Sequence, residues 1–254
     1  MAATAHSVTK SASLSGISVF LPCHNEEGNV ERVVAALESE LPRIAVRHEI
    51  IVVDDGSGDR TGEIADRLAA GNPHVRVIHH PVNRGYGAAV ISGIRACSQP
   101  WVVLFDGDGQ FEPADIGRLA ARVPECDVVA GRRAHRADPL MRRINGKAWT
   151  LLMRLLLGIR LHDIDCGLKL FRRDLLEGMD LQAGGAMISA ELMAKLTGHG
   201  ARICEVDVRH LPRLAGEQSG ASLKVIARAF KELLLLHGRL RRARRKSDMM
   251  RAKG

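Results

Sequence analysis

From Ile17 to Ala130 the chain repeats one pattern: a short run of branched apolar residues, then a stretch with apolar positions at helical spacing, then another apolar run. Ile17–Leu21, Glu49–Val53, Val75–Ile78, Trp101–Phe105 and Asp127–Ala130 read as strands, with helices expected over 30–41, 61–70, 87–97 and 114–122. Strands rich in Val and Ile that return through helices join by right-handed crossovers. The alternation therefore predicts an α/β fold with a mostly parallel sheet flanked by helices on both faces. Sheets of this kind collect ligands at the carboxyl ends of their strands.

The alternation stops near Arg132. A long helical pattern is expected over 139–158, with Leu140, Ile144, Ala148, Leu151, Leu152 and Leu155 on one face and Arg142, Arg143, Lys147 and Arg154 supplying cations. Its readings are a helix packed on the core or a surface for lipid or an anionic acceptor. A second amphipathic stretch, 222–240, places Leu223, Ile226, Phe230, Leu233 and Leu234 on one side and runs into the cationic cluster Arg239–Lys246. From Lys224 onward lie 11 of the 37 Lys and Arg but only 2 of the 29 Asp and Glu, so the rest of the chain is close to neutral. The expected organisation is a flexible leader over 1–15, one α/β domain over 16–221, and a basic amphipathic helix and tail over 222–254.

These balances exclude several classes. A near-neutral body and 3% aromatic residues leave little for a broad nucleic-acid face or for base-stacking platforms, so no nucleic-acid partner is expected. The rival reading of another class is a basic nucleic-acid-binding or scaffold protein whose carboxylate loops are only turns. The apolar run from Leu151 to Ile159 is interrupted by Arg154 and falls well short of the roughly 18 residues of a membrane span, so an integral membrane protein is not expected. Met1–Ser15 lacks the pattern of a secretory signal. The spacing of Cys23, Cys97, Cys126, Cys166 and Cys204 matches neither a disulfide framework nor a zinc set, and they read as reduced thiols of a cytoplasmic protein.

Carboxylates crowd the ends of two expected strands. Asp54-Asp55-Gly56-Ser57-Gly58-Asp59 follows the second, and Asp106-Gly107-Asp108-Gly109-Gln110 follows the fourth. Two Asp at i and i+2 in a glycine-spaced loop can aim both carboxylates at one hard cation, and Mg²⁺ or Mn²⁺ keeps positions open for phosphate oxygens. No Glu stands twelfth in this loop, so it is not an EF-hand. The segment from Gly85 to Val90 lacks the third glycine of a dinucleotide fingerprint.

Taken in order, Pro22-Cys23-His24-Asn25-Glu26, Val53-Asp54-Asp55-Gly56-Ser57 with Asp59 and Thr61, Asn83-Arg84-Gly85-Tyr86-Gly87-Ala88 and Asp106–Gln110 resemble the motif set of the inverting family 2 glycosyltransferases. Asp163–Lys169 and Glu205–Arg213, with Gly216 and Ser219, resemble its dolichol-phosphate mannose and polyprenyl-phosphate sugar synthase branch, here without transmembrane helices. The resemblance covers about residues 16–230. It implies a GT-A type, Rossmann-like domain and transfer of a sugar, with inversion, from a GDP- or UDP-sugar to a polyprenyl or dolichyl phosphate. Pro22, His24, Glu26, Val53 and Asp55 would line the nucleoside pocket, with Asp55 accepting from the base. Asp106, Asp108 and Gln110 would hold Mg²⁺ or Mn²⁺ on the donor diphosphate, and Arg213 and Ser219 would close over its phosphates. The final motif reads Gly216-Glu217-Gln218-Ser219-Gly220, without the branch's adjacent Ser-Lys; Lys224 is a candidate replacement. Arg132 or Arg133, and Arg142 or Arg143, would surround the acceptor phosphate.

The charges agree with an anionic acceptor. A polyprenyl phosphate already carries its nucleophilic oxygen and mainly needs cations to position it, whereas a glycan or small-molecule hydroxyl needs a general base. Glu191 matches the family's acidic position near the acceptor and is the candidate base for that alternative; the other reading of it is a solvated helix carboxylate. His24 and His210 read as packing residues, and Tyr86 and Trp149 as apolar contacts. The basic tail is expected to dock on an anionic membrane surface, which makes the enzyme peripheral on the cytoplasmic membrane face.

Overall fold

The computed structural model describes residues 13–133, 150–185, 187–212 and 232–242. Seven strands form one sheet: β1 (Ile17–Cys23), β2 (His48–Asp54), β3 (Val75–His79), β4 (Trp101–Phe105), β5 (Val128–Arg133), β6 (Leu168–Arg172) and β7 (Ile203–Val208). Their spatial order is β3-β2-β1-β4-β6-β5-β7. The first four strands are parallel, β6 runs antiparallel to both its neighbours, and β5 and β7 are parallel to each other. The expected mostly parallel sheet flanked by helices is thus present. The direction of strand addition reverses between β1 and β4, and at that point the carboxyl ends of β1, β2 and β4 come together.

Helices α1 (Val30–Ile44), α2 (Thr61–Gly71), α3 (Tyr86–Ala96) and α4 (Asp115–Ala120) fill the crossovers. In α1 the spacing of Val30, Val33, Val34, Leu37 and Leu41 places all five in the core. Complete burial of a leucine such as Leu37 stabilises by about 1.5–3 kcal/mol. Two apolar layers result, one on each face of the sheet; Phe20 and Phe171 anchor one, Phe105 and Leu37 the other.

Beyond Arg133 the structure departs from the sequence reading. Strands β6 and β7, and between them α6 (Met187–Gly198), extend the sheet where no regular alternation is legible. Helix α5 covers 150–157 and helix α7 covers 232–242; the remainder of the helices expected over 139–158 and 222–240 lies outside the described residues. The core-facing residues of α5 are Met153 and Leu157, with Leu152 partly buried beside them, while Leu151 and Leu155 face outward, so the expected apolar face is divided between core and surface. In α7 Leu233 and Leu236 are buried, and Leu234 is exposed with Leu235. Both helices are apolar on two sides, so apolar spacing alone does not say which side meets the sheet.

A further correction concerns the cysteines. Cys126 and Cys204, 78 residues apart, form a disulfide with a Cα–Cα separation of 6.0 Å. The pairing of β5 with β7 brings them together, a tertiary contact invisible in sequence spacing. Cys23, Cys97 and Cys166 are free and buried. Among the described residues no helix is long and apolar enough to cross a membrane.

Candidate active site

The loops after β1, β2 and β4 enclose a cleft of about 750 Å³. Six of the residues singled out from sequence line it: Pro22, His24, Glu26, Asp55, Asp106 and Asp108. The β1 and β2 loops are bound to each other. Asn25, at φ 56°, donates its N–H to Ser57 Oγ at 3.0 Å and accepts from the Gly58 N–H at 2.8 Å. Asn is one of the few residues that enters this left-handed region readily. His24 sits 3.0 Å by its Nδ1 from the Asp55 carbonyl, which makes it a loop-bridging residue. Glu26 is buried, accepts from Asn29 Nδ2 at 2.7 Å, and its own N–H donates to Thr61 Oγ1 at 2.8 Å.

Asp55 is the most thoroughly held carboxylate of the cleft. It accepts from the N–H groups of Arg84 and Gly85 and lies 2.6 Å from His80 Nδ1. Gly85 adopts φ 91°, which turns its N–H toward Asp55 and which residues with a Cβ rarely adopt. Asp54 instead organises the outer loop, accepting the Ser57 N–H and pairing with His79.

Asp106 and Asp108 sit side by side at the end of β4. Loss of water around Asp106, and after it the charge of Asp108, push the Asp106 carboxyl up to about 6. Tyr86 Oη donates to Asp106 Oδ1 at 2.8 Å and opposes that rise. The charges of Lys169, fully buried, and of Arg133 oppose it too. Lys169 donates to the Cys166 carbonyl, and the neighbouring Gly167 carbonyl accepts the Asp106 N–H at 3.1 Å. A Cβ on Gly167 would run into the Asp106 carboxylate, so glycine is required for this approach. Neither Tyr86 nor Lys169 is legible as a site residue from local sequence; the one signal for Tyr86 is a polar hydroxyl inside the Asn83–Ala88 motif.

Other expected residues stand apart from the cleft. Val53 is buried in β2. Gln110 turns its amide to the Leu211 carbonyl at 3.1 Å and its N–H to Asp108 Oδ1 at 3.0 Å, tying the β4 loop to the segment after β7. Adjacent on β5, Arg132 and Arg133 point to opposite sides. Arg133 makes a two-pronged contact with Asp163 at 2.7 Å, and half-exposed Arg132 pairs with Asp207. Glu191 is neither a free base nor solvated. It is 1% exposed, accepts the N–H groups of Gln182 and Ala183 at 2.9 and 2.7 Å, and pairs with Lys195 at 2.8 Å. Those bonds hold the loop whose Gly184 carbonyl receives the Gly87 N–H, next to Tyr86 of the cleft lining. His210 packs edge-on against Phe111, as a packing residue. Arg142, Arg143, Trp149, Arg213, Ser219 and Lys224 lie outside the described residues.

A mostly parallel sheet with this order, flanked by helices and carrying a cleft of carboxylates at its reversal, defines an α/β fold of GT-A type. The model of glycosyl transferase family 2 matches residues 18–179, and the chain belongs to that family. Polyprenol monophosphomannose synthase of Mycolicibacterium smegmatis is 32% identical over 240 residues, covering 89% of each chain. Undecaprenyl-phosphate mannosyltransferase of Micrococcus luteus is 31% identical over 212 residues, 79% of this chain and 86% of that one. Undecaprenyl-phosphate 4-deoxy-4-formamido-L-arabinose transferase of Pseudomonas aeruginosa is 31% identical over 215 residues, 83% of this chain and 62% of that one. The chain thus spans about three-fifths of the length of these arabinose transferases. Among solved structures, glucosyl-3-phosphoglycerate synthase from Mycobacterium tuberculosis, crystallised with Mn²⁺, UDP and glucosyl-3-phosphoglycerate, superposes with a TM-score of 0.66. It is 26% identical, with 90% of this chain and 81% of that chain covered.

Proposed function

We propose that this chain transfers a sugar, with inversion, from a nucleoside diphosphate sugar to a polyprenyl phosphate, and that it requires Mg²⁺ or Mn²⁺. The observation that carries the reading is the convergence of Asp55, Asp106 and Asp108 on one cleft at the strand-order reversal. The names of the relatives supply the acceptor class.

In this reading His24, Glu26 and Asp55 form the nucleoside wall, with Asp55 accepting from the base, and Asp106 and Asp108 face the diphosphate. The donor set suits a divalent cation held together with substrate. The charge of Asp108 helps to push the Asp106 carboxyl up, and among the described residues no third His, Cys, Asp or Glu completes a self-sufficient site. When bound, such an ion neutralises the charge that develops on the departing diphosphate. Arg213 and Ser219 are assigned to the donor phosphates, and Arg132, Arg133, Arg142 and Arg143 to the acceptor side; the charge of Arg133 favours the ionised form of Asp106.

The enclosure of Glu191 favours an acceptor that arrives ionised. Its carboxylate is buried, is engaged by Gln182, Ala183 and Lys195 and does not line the cleft, which argues against its taking a proton from a sugar hydroxyl. Exposed Leu151, Leu155, Leu234 and Leu235, near Arg154, Arg239, Arg241 and Arg242 in sequence, support peripheral attachment to an anionic membrane surface through the amphipathic helices. The catalytic unit is then residues 16–221, with 222–254 as the membrane-directed segment.

Calorimetry with UDP- and GDP-sugars in Mn²⁺ or EDTA, for wild type and Asp108→Ala, tests the donor site. Metal-dependent binding of a donor, abolished in the variant, is expected; binding to no donor would refute the reading. Transfer of radiolabelled sugar to polyprenyl phosphate tests the acceptor.

A further inference from the structure

The hydrogen bonds of Asp55 decide more than its position. Oδ1 lies 2.6 Å from His80 Nδ1 and accepts the Arg84 N–H at 3.0 Å, while Oδ2 accepts the Gly85 N–H at 2.8 Å. His80 is itself buried, and its Nε2 lies 2.8 Å from Ser92 Oγ on α3. An ionised carboxylate only accepts, so the proton between His80 and Asp55 belongs to Nδ1. The imidazole is thereby fixed at both nitrogens.

A carboxylate offers about four acceptor positions, two on each oxygen. In Asp55 the two on Oδ1 are filled and one on Oδ2 is filled, which leaves a single position, on Oδ2, for a molecule in the cleft. Nucleobases differ in what they bring to such a group. Uracil presents one imide N–H between two carbonyls. Guanine presents two adjacent N–H donors, which match a carboxylate having one open position on each oxygen. Cytosine presents a ring-nitrogen lone pair that a carboxylate repels.

We infer that Asp55, as held by His80 and the Arg84–Gly85 backbone, selects uracil over guanine, so that the donor is a uridine diphosphate sugar. The inference rests on the proposed placement of the base against Asp55. His80 is then a positioning residue that sets specificity without touching the donor, and Ser92 fixes its ring.

The test is calorimetric titration of the full chain in Mn²⁺ with UDP and with GDP. UDP is expected to bind at least about tenfold more tightly, because one guanine donor would be buried without an acceptor. Equal or tighter binding of GDP would overturn the inference and leave the donor-cleft reading standing. Binding of neither would overturn the cleft reading and the inference with it. His80→Leu removes the bond that fixes Oδ1, so that the carboxylate can turn and offer an acceptor position on each oxygen, and is expected to narrow the UDP-to-GDP ratio mainly by strengthening GDP. An unchanged ratio in a variant with wild-type circular dichroism and Tm would overturn the role given to His80. The wild-type ratio needs no variant, so a folding defect in His80→Leu leaves the test decisive.

Discussion

Tyr86 shows what a single hydroxyl contributes at the cleft. Its bond to Asp106 Oδ1 restrains a carboxylate that burial and Asp108 both push toward protonation. Tyr86→Phe removes the bond and keeps the ring, so Mn²⁺-dependent donor binding is expected to weaken by about fivefold to tenfold with little change in Tm, measured by calorimetry beside thermal unfolding. Gly167→Ala attacks the same carboxylate sterically. The new Cβ overlaps Asp106, and metal-dependent donor binding is expected to fall by at least about tenfold; unaltered affinity would show that Asp106 tolerates displacement. Asp55, Asp106 and Asp108 are legible in sequence because two acidic, glycine-spaced loops, each directly after an apolar strand, put their charges at the same edge of a parallel sheet. Tyr86 and Lys169 are less so: Tyr86 reads locally as an apolar contact whose hydroxyl partner, Asp106, comes 20 residues later, and Lys169 stands inside a motif but is fully buried in β6. Glu191 misleads for the same reason: its backbone partners belong to a loop with no sequence signature of its own.

Among the elements, β1 to β4 announce themselves by runs of Val and Ile, most of them buried. Strands β6 and β7 do not. Ile203–Val208 alternates apolar with polar residues at the sheet edge, and Leu168–Arg172 is five residues long with a buried lysine in it. Besides the ladders, a cluster of charges ties both strands to the start of β5, at the end of the sheet away from the cleft. Asp127 accepts the Arg202 N–H at 3.0 Å and pairs with the guanidinium groups of Arg202 and Arg172, at the start of β7 and the end of β6. These bonds, chiefly that to the Arg202 side chain, hold the Asp127 carboxyl down at about 2. Because the folded value lies below that of the unfolded chain, the stabilisation is complete above about pH 4 and is lost as pH falls through about 2. Asp127→Asn is expected to lower stability at neutral pH by about 1 kcal/mol, the exposed arginines being screened by water, and to flatten the acid limb of the stability curve. Denaturant titrations at several pH values measure both.

Across the whole molecule, the helices α5 and α7 that follow the cleft-forming half present leucines on the outside: Leu155 is 73% and Leu234 65% exposed. If this surface meets a membrane, the double variant Leu155→Glu, Leu234→Glu is expected to lose co-sedimentation with phosphatidylglycerol vesicles while retaining its Tm and its affinity for donor. Retained sedimentation would assign the attachment elsewhere. The arrangement of the sheet bears on how the chain is made as well as on what it binds. Strand β6 is inserted between β4 and β5, so during synthesis the inner edge of β4 has no partner until residues 168–172 have left the ribosome, some 60 residues later by the sequence. Strand β5 emerges before it and is parallel-paired only to β7, which comes later still. In that interval β4 carries a bare edge of apolar residues beside the two aspartates of the cleft, the condition under which nascent chains pair with the wrong strand. The half of the molecule that carries Asp106 and Asp108 is therefore protected from misassembly only when the last strands arrive.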